Sequence, residues 1–295
     1  MTPLPRADHS PASYRLVDFG DGRKLEEFAG HRLDRPSPAA TATHPAQPGR
    51  WREADYRYDA TPSPGWSGEP PPTAWHFRWE SLVLELRLSG SGHVGLFPEQ
   101  IANWRWLQSW LRRQPLRPRV LNLFGYTGGA SLAAAAVGAE VTHVDASEPT
   151  VQWAKHNASL SGLAEAPIRW LVDDIRAVVR RARRRQVHYD MILMDPPTYG
   201  HGLSGKDWRL ERDLPPLLED CLRLLSDDQA ALLVTGHSPI ASLATGPFAA
   251  ASWVQLTRRF PQRTRHRVGL FDDAGRRLDF GYAYRFQTPL TIAGE

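Results

Sequence analysis

The sequence predicts an α/β fold, with a parallel sheet of strand–helix–strand units following a smaller, mainly β N-terminal region. Three observations lead there. From residue 119, short apolar runs alternate with amphipathic stretches of about ten to fifteen residues, the pattern of βαβ units and a parallel sheet. The first run, Val120–Phe124, leads into Gly125-Tyr126-Thr127-Gly128-Gly129. The fourth, Tyr189–Met194, ends in Asp195-Pro196-Pro197-Thr198-Tyr199. That ending puts an acid, rigid carbonyls and an aromatic ring at the carboxyl edge of a strand, where open α/β sheets bind ligands.

Taken in order, residues 1–13 are polar and proline-bearing and are expected to be a disordered tail. Residues 14–19 alternate apolar and polar, and Gly20-Asp21-Gly22 turns the chain, a hairpin signal. Residues 36–72 hold nine prolines. They are expected to form an irregular, wrapped segment pinned by Trp51, Tyr56, Tyr58 and Trp66. Residues 75–88 carry partial alternation, for one or two strands, broken by Gly90-Ser91-Gly92. Pro98 to Arg113 reads as a helix, with Ile101, Trp104, Leu107 and Leu111 at three- and four-residue spacing and Trp110 beside them. The linker Pro115–Pro118 marks a boundary between an N-terminal domain at 14–113 and a second domain at 119–290. In the second, strands are expected at 119–124, 140–144, 168–172, 189–194 and 229–235. Helices are expected at 130–137, 149–160, 175–185 and 210–225. A helix near 247–253 and an antiparallel hairpin from Arg265–Leu270 and Gly281–Phe286 close the chain.

Composition limits the function classes. The chain has 295 residues, 41% of them hydrophobic, enough for a full core. A single cysteine, Cys221, allows no internal disulfide and fits a reducing cytoplasm. Met1 is followed by Thr-Pro-Leu-Pro-Arg rather than an apolar signal region, and no run is long enough to span a bilayer. No zinc-type Cys/His spacing occurs, so no metal is expected. The net charge of +4 and pI of about 9.4 suit an anionic partner such as RNA, although an arginine-rich surface alone is also a common solvated one.

The glycine turn lacks the G-x-G-x-x-G of dinucleotide sites and the Gly-Lys-Ser/Thr of phosphate loops. Asp145 ends the second strand, 21 positions after Phe124 by subtraction, the spacing of an acid that grips a ribose diol. Ser147 lies beside it. Asp173-Asp174 ends the third strand, where a carboxylate can accept the amine of adenine. In sequence these read as an adenosyl site without a pyrophosphate. Each strand-end acid has a plainer reading as the N-cap of the next helix.

At these residues the chain resembles class I methyltransferases, and specifically the group that modifies bases of bacterial large-subunit ribosomal RNA. The matching pieces are Gly95-Leu96-Phe97-Pro98-Glu99-Gln100, Leu121 to Gly129, Val144-Asp145-Ala146-Ser147 and Asp195-Pro196-Pro197-Thr198-Tyr199. Gly20 to Phe28 adds a weaker match. The resemblance implies S-adenosyl-L-methionine as donor and a Rossmann-like, doubly wound sheet of seven strands with the last antiparallel. It also implies that Gln100, Phe124, Tyr126, Thr127 and Gly128 touch the donor, with Asp145, Ser147, Asp173, Asp174 and Asp195 completing that set.

Asp195, Pro196, Pro197 and Tyr199 are the candidate catalytic residues. Asp195 and the Pro196 carbonyl can accept from an amino group, and Tyr199 can stack on a ring. Relatives that make 5-methylcytosine need a cysteine nucleophile. Neither Asp195–Thr198 nor Thr235–Ser238 contains one, and Cys221 sits among leucines. The expectation is therefore methylation of a ring or exocyclic nitrogen of a ribosomal RNA base. The alternative is a protein or small-molecule substrate. His237, and His201 with Lys206 in the loop Gly200–Asp207, are candidate substrate contacts. The arginine run at 180–185 is either an RNA patch or a solvated helix end.

Overall fold

A computed structural model describes residues 14–61, 64–68, 75–114, 117–200, 207–236 and 251–289, the last without the side chains of 251–253. The expected tail at 1–13, His201, Lys206, His237 and most of the expected helix at 247–253 lie outside the described residues. The chain divides into two compact units, Met1–Pro98 with Leu270–Leu278 and Glu99–Gly269 with Asp279–Glu295. Among the described residues no helix is long and apolar enough to cross a membrane.

The first unit holds β1 (Tyr14–Gly20), β2 (Arg23–Phe28), β3 (His31–Pro36), β4 (Tyr56–Asp59) and β5 (Gly65–Ser67) in one sheet in that order. A separate antiparallel pair comprises β6 (His76–Trp79) and β7 (Leu82–Glu85). The alternation in β1 suggests one wet face, but Leu16, Val17, Asp18 and Phe19 are all buried. Asp18 is tolerated there because its carboxylate accepts from the Ala46 and Gln47 N–H groups, Trp51 Nε1 and Arg276 Nη2. Those bonds fasten the start of the proline-rich segment. That segment is not wholly irregular as expected: β4 and β5 lie in it. In β4, Tyr56 and Tyr58 are buried and Arg57 is exposed, and β4 pairs in parallel with β3. Four residues of alternation between prolines are too short to stand out.

In the second unit come α1 (Ile101–Leu111), β8 (Arg119–Leu123), α2 (Gly129–Ala135), β9 (Glu140–Asp145), α3 (Glu148–Leu160) and β10 (Ile168–Val172). They are followed by α4 (Ile175–Arg184), β11 (Met191–Met194), the short strands β12 (Tyr199–Gly200) and β13 (Trp208–Arg209), and α5 (Leu210–Leu222). Last come β14 (Ala231–Gly236), α6 (Ala251–Arg259), β15 (Gln262–Phe271) and β16 (Arg277–Gln287), the turn of this final hairpin belonging to the first unit. The helix α1 belongs to this second unit, whereas the boundary was expected after it. The Trp104 ring lies against Gly129, and Gln108 donates to the Ala133 carbonyl at 3.0 Å, so α1 is bound to α2.

The seven strands run β10-β9-β8-β11-β14-β16-β15. The first five are parallel and β14 pairs with β16 antiparallel, which is the expected architecture. Strand order reverses between β8 and β11, so a crevice opens at their carboxyl ends. The core beneath packs Leu121, Ile192, Met194 and Val234 against Val179, Leu217 and Cys221. Cys221 is fully buried, and burial pushes its thiol up. It is a packing residue, as expected.

Candidate active site

After β8 the chain passes through Phe124 (φ +58°), Gly125, Tyr126 (φ +49°) and Gly128 (φ +91°). Left-handed backbone at two non-glycine residues is strained and needs outside support. Support comes from Gly125 N–H to the Val144 carbonyl at 2.9 Å, Tyr126 N–H to Asp145 Oδ2 at 2.9 Å, and Asn157 Nδ2 to the Thr127 carbonyl at 2.9 Å. A Cβ on Gly125 would sit 2.4 Å from the His143 ring. One on Gly129 would sit 2.3 Å from Trp104. Under the turn, His143 Nδ1 and Asn122 Nδ2 each meet Ser131 Oγ at 2.9 Å. Burial pulls His143 down to about 3, so the ring is neutral.

Asp145 ends β9 next to this turn. Its Oδ1 accepts the Ser147 N–H at 2.9 Å. Burial raises its pKa, and the N–H groups of Ser147, Tyr126 and Ala146 offset part of that. It is not the cap of α3; Ser147 is, accepting from the Thr150 N–H and hydroxyl. Asp145 therefore keeps acceptor lone pairs for a ligand.

Asp173 follows β10, and its N–H donates to the Asp145 carbonyl at 3.1 Å. Its carboxylate accepts from the Asp174 N–H at 2.7 Å and pairs with Arg181 at 2.5 Å. Asp174 is the N-cap of α4, accepting the Ala177 N–H at 3.1 Å, and pairs with Arg176 at 2.7 Å. Burial alone would raise its pKa, but Arg176 and the capped N–H groups hold it below the ordinary carboxylate range. At Asp174 the plainer capping reading holds.

Asp195 follows β11, across the crevice from the glycine turn. Its Oδ1 accepts from Thr235 Oγ1 at 2.6 Å and its Oδ2 from Gln100 Nε2 at 3.2 Å. Gln100 in turn accepts from Asn103 Nδ2 at 2.7 Å. Pro196 is buried, and no described residue donates to its carbonyl. The Pro197 carbonyl accepts from Trp208 Nε1 at 2.7 Å, and the Trp208 ring meets Phe124 edge-on at 4.8 Å. Tyr199 is 48% exposed, pairs across from Arg209, and donates its hydroxyl to Asp207 at 2.7 Å.

The structure thus brings Gln100, the 124–129 turn, Asp145, Asp173 and Asp195 to the carboxyl ends of four neighbouring strands. Thr235, Asn103 and Arg285 join them and were not singled out. Thr235 had a signal, as the end of the fifth strand. Asn103 had a weaker one, three residues after Gln100 on a helix. A separate cavity of about 270 Å³ is lined by Glu140 and by Arg119, Arg169, Arg181 and Arg185.

The set fits the adenosyl donor implied by the resemblance. A half-buried carboxylate with a spare lone pair suits a diol, and a strained turn without a phosphate-binding lysine suits a ligand lacking phosphate.

A family model described as S-adenosylmethionine-dependent methyltransferase matches residues 19–232. Ribosomal RNA large subunit methyltransferase K/L of Shewanella baltica (strain OS155 / ATCC BAA-1091) is 35% identical over 145 residues, 48% of this chain and 20% of that protein. The enzyme of the same name from Hahella chejuensis is 39% identical over 120 residues, 40% of this chain and 16% of that one. The chain thus spans about a fifth of the length of these curated relatives. A crystal structure of the SAM-dependent methyltransferase from Agrobacterium tumefaciens is 35% identical, with a TM-score of 0.84, covering 94% of this chain and 90% of that one. These matches agree with the sheet order: the chain belongs to the S-adenosylmethionine-dependent methyltransferase family.

Proposed function

We propose that this methyltransferase modifies a ring or exocyclic nitrogen of a base in ribosomal RNA. One observation carries the reading: at the β11 tip, Asp195 and the Pro196 carbonyl offer acceptors, and four residues beyond Asp195 the chain exposes Tyr199. S-adenosylmethionine, when bound, supplies an electrophilic methyl group. Asp145 would hold the ribose hydroxyls, the Asp173 carboxylate would accept the adenine amine, and Asp195 would line the donor pocket. Asp195 and the Pro196 carbonyl accept hydrogens from the target amine and orient its lone pair, while Tyr199 stacks on the base after it leaves its stack. Carbon-5 chemistry on cytosine has no nucleophile, because the sole cysteine is Cys221 in the core.

RNA is favoured over protein by two further points. The two curated relatives described above are named ribosomal RNA large subunit methyltransferases. The cavity lined by Arg119, Arg169, Arg181 and Arg185, with Glu140 among them and Arg181 paired to Asp173, adds a net basic surface for phosphates. The test is mass spectrometry of modified nucleosides in ribosomal RNA from wild-type and deletion strains, with labelled methyl transfer to RNA and to total protein in parallel. A nucleoside missing from the deletion strain and restored by the purified enzyme is the expected result. Label appearing in protein alone would replace this reading with the alternative substrate class.

A further inference from the structure

We propose that Arg285 is a positioning residue for Asp195, acting through Asn103 and Gln100. The inference rests on Asp195 lining the donor pocket, and the test below separates failure of that reading from failure of this one.

Four side chains form a line. Arg285 on β16 donates from Nη2 to Asn103 Oδ1 at 2.7 Å and from Nε to the same oxygen at 3.2 Å. Asn103 Nδ2 donates to Gln100 Oε1 at 2.7 Å. Gln100 Nε2 donates to Asp195 Oδ2 at 3.2 Å. The two amides in the middle can each turn end for end, and their orientation follows from their partners. Here both ends are fixed. A guanidinium has only donors, and an ionised carboxylate has only acceptors. One orientation of the two amides makes every bond, and turning either one places like groups face to face. Arg285 therefore sets which end of Gln100 meets Asp195.

Three features argue that the arrangement does more than fill space. Asn103 is 2% exposed, so water cannot replace its partners. Arg285 has no carboxylate partner among the described residues; it also donates to the Ala102 carbonyl at 3.0 Å and lies over Trp106 at 5.3 Å. Burial pulls Arg285 down to about 10, still cationic at neutral pH. A half-buried cation without a counter-charge is costly, and packing alone would be served better by an apolar side chain. At the far end Thr235 clamps the other oxygen of Asp195, so the carboxylate plane is held by two donors and two lone-pair sites remain for a ligand.

The experiment is calorimetric titration with S-adenosylmethionine, with thermal melting of each variant, for the wild type, N103D, R285M, R285K and D195A. In N103D the new carboxylate gains an ion pair with Arg285 but cannot donate to Gln100. Gln100 then turns its nitrogen toward residue 103 and presents its oxygen to Asp195. A structural role for Asn103 requires N103D to bind as the wild type does. Orientation control instead requires a melting temperature at or above wild type, with affinity reduced about tenfold. R285M should lose a similar factor, and R285K, which keeps a donor, should recover most of it. If N103D binds as tightly as wild type while D195A is weak, the relay is overturned. R285M binding as tightly as R285K overturns it as well, even if N103D fails to fold. D195A binding like the wild type would overturn both the relay and the placement of Asp195 in the donor pocket.

Discussion

The Tyr126 N–H and the Asp145 carboxylate meet at 2.9 Å, so the strained glycine turn and the acid of the next strand act as one unit. Because burial raises the pKa of Asp145, the fold favours its protonated form. Its contribution to stability is therefore full below the ordinary value of 3.8 and is lost as pH rises through the raised one. Ligand binding runs the other way, since a ribose diol needs the ionised acceptor. S-adenosylhomocysteine affinity should rise with pH across that window. Asp145→Asn should weaken binding about tenfold or more and flatten the pH dependence. A variant with the wild-type pH profile would show that another group titrates.

Gly129 is confined by Trp104. Gly129→Ala brings a methyl to 2.3 Å from the indole, and should destabilise the protein by about 1–3 kcal/mol in urea unfolding. Trp104→Leu makes room, so the double variant should lose less than the sum of the two singles. Simple additivity would mean that α1 moves aside without cost.

Asp174 joins capping and an ion pair. Asp174→Ala should cost about 1 kcal/mol or more, while Asp174→Asn, which still caps, should lose clearly less. Its lowered pKa makes its stabilising contribution present above the ordinary value of 3.8 and lost as pH falls through the lowered one. The stability gap between wild type and Asp174→Ala should therefore narrow as pH falls through that window. Equal losses in Ala and Asn variants would assign the effect to Arg176 alone.

Tyr199 tests the substrate side. Tyr199→Ala should lower kcat/KM on RNA by roughly 10- to 100-fold, the usual value of base–aromatic stacking, and leave S-adenosylhomocysteine affinity unchanged. Tyr199→Phe keeps the ring and loses the hydroxyl bond to Asp207, so it should stay near wild type. If Phe is as damaging as Ala, the hydroxyl matters rather than the ring.

The middle of the parallel sheet is legible because its strands are buried on both faces. Met191–Met194 and Ala231–Gly236 are buried throughout and therefore appear as unbroken apolar runs. The strand-tip acids are legible for the same reason, as the first charges after such runs. The N-terminal unit is harder to read. In β1 an acid sits in the core on partners from residues 46, 47, 51 and 276, which no local pattern announces. Spacing alone could not tell whether Asp145 or Asp174 caps the helix after it; the structure gives the cap after Asp145 to Ser147, and makes Asp174 itself the cap through the Ala177 N–H. Arg285 left no trace in the sequence, because its partner Asn103 lies on a helix far upstream.

The lone buried thiol also has an experimental use. A maleimide should leave the native chain unlabelled and react with Cys221 only when the leucine-rich interior around it opens, so labelling rate becomes a clock for global unfolding. By the same token, one cysteine introduced on the surface can carry a fluorophore without first removing any native residue, which opens ligand-induced motions to distance measurement in solution.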